Sequence, residues 1–222
     1  MLTSHKAIRY AVQRKVHIIS MSWSIRAPAV NNISDEFNEL RGALQEAQNA
    51  NILLFSSASD QGPDTYDTYP AFGTSAIFKI GGADVDGNLH AQVGGEDNVH
   101  YIFPGDTFEG DDNNDGLASR SQWFTGSSVA TAYASGFAAL ILYCAQVRIA
   151  LSNENDRVKC TEAFRALKTH SEMERVFRNI GKTKKYLPVW EVFGRSHKSH
   201  SGTSESDFIA SVPVNLYPEP YS

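Results

Sequence analysis

Apolar side chains recur along residues 3–14 at Ala7, Ile8, Ala11 and Val12, the spacing that gathers them on one face of a helix. Arg14 and Lys15 follow, where positive charge suits the carbonyl end of the helix dipole. The pattern then changes, and Val16 to Trp23, rich in β-branched and sulfur-containing residues, reads as a buried strand. Beyond Pro28, Ser34 followed by Asp35-Glu36 predicts the start of a second helix running to about Ala50. Ile52 to Phe55 predicts a short second strand that ends in the small polar run Ser56 to Gly62. Residues 63–70, with a proline at each end, can only be loop, while Ile77 to Gly82 forms a third strand and Tyr101 to Phe103 offers one more. Ser128 to about Val147 is expected to be a long central helix, with amphipathic helices over 157–169 and 171–179.

The order helix, strand, helix, strand, loop, strand implies right-handed crossovers and a parallel sheet flanked by helices, an α/β fold. The 222 residues suffice for one sizeable core. From Arg195 the Ser-, His-, Gly- and Pro-rich sequence loses periodicity, so the domain is expected over 1–194 and a flexible tail over 195–222. A helix opening the chain with no strand before it reads as a domain entered partway through.

Charge and cysteine content narrow the partners. A formal net charge of −5, from 20 Lys+Arg against 25 Asp+Glu, argues against nucleic acid, and Lys182 to Lys185 is too short a basic run to alter that. The two cysteines, Cys144 and Cys160, are expected as free buried thiols, which with no leader peptide points to an intracellular address. The most apolar stretch, Gly136 to Val147, is shorter than a membrane span and carries Gln146, so no membrane span is expected.

Residues 125–136 concentrate the candidate chemistry. Ala130, Ala132, Ala134, Ser135, Gly136, Ala138 and Ala139 make nearly every face of the central helix small, which suits a helix crowded by other backbone. Ser128 at its mouth fits two readings: a helix cap, or a nucleophile. Gly126 favours the second, because a turn without a side chain lets a reacting carbonyl approach, and the positive end of the helix stabilises negative charge developing there.

Thr125 to Gly136 resembles the nucleophile region of the subtilisin-like serine peptidases, whose Gly-Thr-Ser-Met-Ala pattern is matched here by Gly126-Ser127-Ser128-Val129-Ala130. Ile18-Ile19-Ser20-Met21-Ser22 resembles the strand lining that family's substrate cleft, and Leu54 to Gly62 the strand and turn that hold its oxyanion-hole side chain. Ile80-Gly81-Gly82-Ala83 and Phe103-Pro104-Gly105 fall in the family order, so the agreement covers about residues 3–148. The resemblance implies a subtilisin-like three-layer fold with its N-terminal part missing, and a serine endopeptidase acting through Ser128. It implies a polypeptide substrate lying extended against Ser22-Trp23-Ser24 and the Gly126 turn, with no cofactor. Trp23 equally fits ordinary packing.

Serine attack on an amide needs a base, a group that orients the base, and donors for the tetrahedral oxygen. In the family pattern the aspartate and histidine precede the segment that opens this chain, and none of the seven histidines, His5, His17, His90, His100, His170, His197 and His200, stands in the required place. His5 is expected exposed on its helix. A missing N-terminal segment is therefore expected to be needed for activity. Asp60 occupies the oxyanion position, where the family's asparagine would donate a hydrogen bond. An ionised Asp60 would repel the oxyanion and a protonated one could donate to it, while the plain alternative is an Asp capping its own turn. Asp111 to Gly116 offers oxygens for calcium but lacks the twelve-residue loop spacing, so a solvated loop and no metal is the expectation.

Three functions follow: a serine endopeptidase domain inactive without its upstream part, a catalytically dead peptide-binding or regulatory module derived from one, or an unstable truncated chain with an exposed sheet edge.

Overall fold

A computed structural model describes residues 3–28, 33–62, 67–108, 123–182 and 184–189, together with residues 204, 206, 209 and 212. The expected solvated loop at 111–116 and nearly all of the expected tail lie outside these residues.

The sheet is built from two successive helix-to-strand units. Helix α1 (Ser4–Gln13) leads into strand β1 (Ile18–Met21), and α2 (Asp35–Asn49) leads into β3 (Leu53–Ser57), which pairs parallel with β1 so that Ile18 faces Leu53 and Met21 faces Ser56. β5 (Ile77–Ala83) and β6 (Tyr101–Pro104) continue the parallel sheet in the order β1-β3-β5-β6. On the far face lie α3 (Ser127–Leu151), α4 (Glu154–Leu167) and α5 (His170–Gly181).

Alternation along the strands explains the layers. Leu54 and Ile77 point into a core with Ile8, Phe37, Leu40 and Leu44 of α1 and α2, while Leu53, Phe55, Phe78 and Ile80 point the other way into a core with α3 and α5. Every residue of β3 is buried, as expected of a strand covered on both faces. The α/β architecture with a parallel sheet flanked by helices is thus the one the sequence predicts.

Both helix-to-strand corners use the same cap. Lys15 and Asn51 have φ of 54°. The next residues, Val16 and Ile52, donate to Ala11 O at 3.4 Å and Ala47 O at 3.1 Å, the bonds of a Schellman turn.

Several details depart from the sequence reading. The expected strand over 16–23 is shorter, because the chain bends after Met21 and Ile25–Arg26 (β2) pairs antiparallel with Thr68–Tyr69 (β4), so part of the expected 63–70 loop is strand. A second small ribbon pairs β7 (Asp106–Phe108) with β8 (Trp123–Thr125). His5 is buried, 8% exposed, rather than solvated. α3 starts one residue earlier than predicted and runs 25 residues to Leu151, past the expected end at Val147. No glycine or proline lies between Val147 and Ser152 to stop it, and Ser152 is the first extended residue. By length and mean hydropathy α3 could cross a membrane. Ala130, Ala134, Phe137, Ala138, Ile141 and Leu142 of that helix are instead packed in the core against the sheet.

Phe177 of α5 is the hub of the α3-side core, with ring centroids of Phe78, Tyr101, Phe103 and Phe137 at 5.4, 5.2, 5.8 and 6.0 Å. Phe177→Ala is expected to cost about 3–5 kcal/mol of stability, read as a lower urea midpoint. His170 stacks on Phe78 at 4.3 Å, and its buried Nε2 has no hydrogen-bond partner among the described residues. Burial, first among the causes, lowers its pKa below the ordinary 6.5. The unfolded chain therefore binds the proton more readily, so stability is full above the unfolded pKa and falls as pH drops through the folded one. Urea midpoints measured from pH 7.5 downward should show this loss, and His170→Gln should reduce it, leaving the part due to His17 and His100, whose pKa values burial also lowers.

Candidate active site

The C-terminal ends of the parallel strands supply Ser22 after β1, Asp60 after β3, Gly82 within the end of β5 and Gly105 after β6, and α3 begins above them. Gly126, the residue before α3, has φ of 120° and ψ of 176°, a conformation that side chains rarely allow. Its N–H donates to Gly105 O at 2.9 Å. A Cβ there would lie 2.7 Å from Asp60 Oδ2, so glycine is needed for space as well as for angle.

Asp60 reaches from the end of β3 to the start of α3. Its Oδ2 accepts the Ser127 N–H at 2.8 Å and its Oδ1 accepts the Ser127 hydroxyl at 2.6 Å. Ser127 is fully buried, and its Oγ also accepts the Gly82 N–H at 3.2 Å. The carboxylate thus sits where the helix presents unsatisfied N–H groups and partial positive charge. The sequence reading placed Asp60 either at an oxyanion or as a cap of its own turn; the structure makes it the cap of a different element.

Ser128, one step further along the helix, is exposed. Its Oγ donates to Ser22 O at 3.1 Å, and Ser22 Oγ donates back to Ser128 O at 3.0 Å. Ser128 N–H, in the first helical turn, takes part in no described hydrogen bond and is free to donate outward. Phe124, Val129, Ala132 and Tyr133 join Ser128 in lining a concavity of about 530 Å³. Ser22, Asp60, Gly126 and Ser128 are therefore brought together. Trp23 is not: it is half-buried against the α1/α2 core, the packing role open to it from sequence, and Ser24 beside it is also half-buried.

No described histidine bonds to Ser128. His17 lies edge-on to Phe164 at 5.8 Å, His100 accepts the Lys79 N–H at 3.1 Å, and His170 stacks on Phe78. His197 and His200 lie outside the described residues. His90 is the one that sequence reasoning undervalued. Its Nε2 lies 3.3 Å from Asp106 Oδ1, which also accepts the Thr125 hydroxyl at 2.6 Å. A Cβ on Gly82 would meet His90 Nδ1 at 3.1 Å and the Gly126 carbonyl carbon at 3.0 Å, and one on Gly105 would meet His90 Cε1 at 2.8 Å. The imidazole thus packs against the glycine floor below the Gly126 turn. Gly82 and Gly105 were the signal, since glycine marks close approach of other atoms.

Among the described residues no three His, Cys, Asp or Glu side chains converge on a metal position. Cys144 and Cys160 are buried and free, as the sequence predicts, and burial pushes the Cys144 thiol up to about 11, away from nucleophilic chemistry.

Asp60→Ala is expected to cost about 1–2 kcal/mol through loss of the cap, measured by chemical denaturation. Gly126→Ala should destabilise more than that, while Gly136→Ala, where a Cβ meets nothing within 4 Å, should be neutral or stabilising.

The family model described as Subtilase family matches residues 2–177. Over 75 residues the chain is 45% identical to the Subtilisin-like protease het-Q2 of Podospora anserina, a match taking in 34% of this chain and 19% of that protein. Among solved structures, the epidermin leader peptide processing serine protease EpiP from Staphylococcus aureus superposes with a TM-score of 0.61 at 16% identity, over 84% of this chain and 52% of that one. The prenylagaramide maturation protease PagA superposes with a TM-score of 0.52 at 24% identity, over 73% of this chain and 55% of that one. The chain therefore spans about half the length of these two structures, and at such identities they show the fold alone.

Proposed function

Because the chain belongs to the Subtilase family, we propose that Ser128 is the nucleophile of a serine endopeptidase domain whose base and orienting carboxylate are supplied from outside these 222 residues. The observation that carries this reading is the exposed Ser128 hydroxyl at the positive end of α3, bonded to a backbone carbonyl and to no described imidazole.

In the complete site an extended polypeptide lies along Ser22-Trp23-Ser24, pairing through its main chain. The Ser128 hydroxyl attacks the scissile carbonyl carbon, its proton passes to the imidazole, and that proton then goes to the leaving amine. Water repeats the sequence on the acyl-serine. The Ser128 N–H serves as one donor to the tetrahedral oxygen. Asp60 offers two acceptors already engaged by Ser127, so it opposes the oxyanion, and turnover is slow.

Two surfaces support an additional segment beside this site. β1 pairs only with β3 among the described residues, leaving its other edge open. On α3, Tyr133, Leu140, Tyr143 and Leu151 are 47, 40, 54 and 51% exposed, an apolar face on a helix otherwise packed in the core.

A second reading, a peptide-binding module without chemistry, is supported by Asp60, an acceptor capping α3 where the family resemblance expects a side-chain donor. The purified chain is expected to hydrolyse no fluorogenic peptide. Joined to an upstream subtilase segment bearing the aspartate and histidine, it should gain hydrolysis that Ser128→Ala abolishes, and Asp60→Asn should raise turnover by about 10²-fold. Peptide binding without cleavage in the joined protein selects the second reading.

A further inference from the structure

Opposite the serine, at the N-terminal edge of the sheet, the Schellman corners of α1 and α2 meet the C-terminus of α4 around a cavity of about 600 Å³. Lys15, His17, Asn51, Arg165 and Lys168 supply its polar lining, while Val12, Val16 and Ile52 form an apolar wall. No carboxylate lines it, although the chain as a whole carries a formal charge of −5. Among the described residues, Lys15, Arg165 and Lys168 make no ion pair with an acid.

The ordinary use of such cations is to neutralise helix C-terminal carbonyls. Here those carbonyls already have partners. Ala11 O and Val12 O accept from Val16 and Lys15, Ala47 O and Gln48 O accept from Ile52 and Asn51, and Ala166 O accepts the Thr169 N–H and hydroxyl. The positive charge is felt within the cavity: burial first, and then the Lys168 ammonium, lower the pKa of His17. Lys168 lies over the Phe164 ring at 5.1 Å, which restrains it beside the cavity without cancelling its charge.

We propose that this cavity binds a small organic phosphate, its phosphate held by Lys15, Arg165 and Lys168 and its apolar body seated on Val12, Val16 and Ile52. Three cations lining one cavity from the ends of α1 and α4 suit a dianion better than a single carboxylate, since together they offer donors to several phosphate oxygens at once. The volume falls in the range of small-molecule pockets rather than of a flat protein contact. The site lies at the other end of the sheet from Ser128, so it stands or falls independently of the proteolytic reading.

The test follows the imidazole signals of His17 by nuclear magnetic resonance while phenyl phosphate is added to the full chain at constant ionic strength. A saturable shift below about 10 mM is expected, with the His17 pKa raised by the bound dianion. Inorganic phosphate should bind more weakly, for want of the apolar body. Arg165→Gln combined with Lys168→Gln should weaken phenyl phosphate binding about tenfold or more, and Ser128→Ala should leave it unchanged. Thermal melting of each variant establishes that it is folded. A shift that does not saturate, one that sodium chloride reproduces, equal affinity for inorganic and phenyl phosphate, or undiminished affinity in the double variant would each overturn the proposal.

Discussion

One carboxylate fixes the position of everything at the serine end of the molecule. Asp60 stands at the end of a strand buried on both faces, and it binds both the amide and the hydroxyl of Ser127 across the layer boundary. Hydrogen bonds to a charged group contribute more than neutral ones, about 1.5–3 kcal/mol each. With the Ser127 Oγ also accepting from Gly82, the ends of β3 and β5 share one residue of α3. Successive residues on a helix point about 100° apart, so holding Ser127 inward turns Ser128 outward to Ser22 and the groove.

The same arrangement explains the crowding of glycine. Gly126 sits against the carboxylate, Gly82 against the Gly126 peptide, and Gly105 against Gly82, with the His90 ring pressed on the last two. Backbone approaches so close that any Cβ would push one strand end away from the helix. An anchoring role for Asp60 and an electrophilic one are opposed, because a carboxylate that stabilises the helix N-terminus adds negative charge where an oxyanion would form.

The two ends of the sheet therefore differ in kind. At the C-terminal ends an acid and packed glycines secure a serine; at the N-terminal ends two left-handed caps and the end of α4 assemble cations around a cavity. Both arise because parallel strands bring their like ends to one side, and α1 and α2 each finish directly before the starts of β1 and β3.

Much of this is legible in the chain. The 3.6-residue spacing of Ala7, Ile8, Ala11 and Val12 and the apolar runs at Ile18, Leu53 and Ile77 determined the helices, the strands and their parallel arrangement, since each pattern must bury a particular face. The run Gly126-Ser127-Ser128 and its small-residue helix located the glycine turn that opens α3, because only a closely packed helix needs so few atoms. Sequence could not tell which serine faces inward, that Asp60 caps α3, that His5 is buried, or that His90 lies beneath Gly82 and Gly105. It also missed the two short ribbons, whose two- and three-residue strands carry no period. Those facts depend on contacts between residues as far apart as 60 and 127, and local patterns of charge and hydrophobicity hold no record of which distant backbone will arrive beside them.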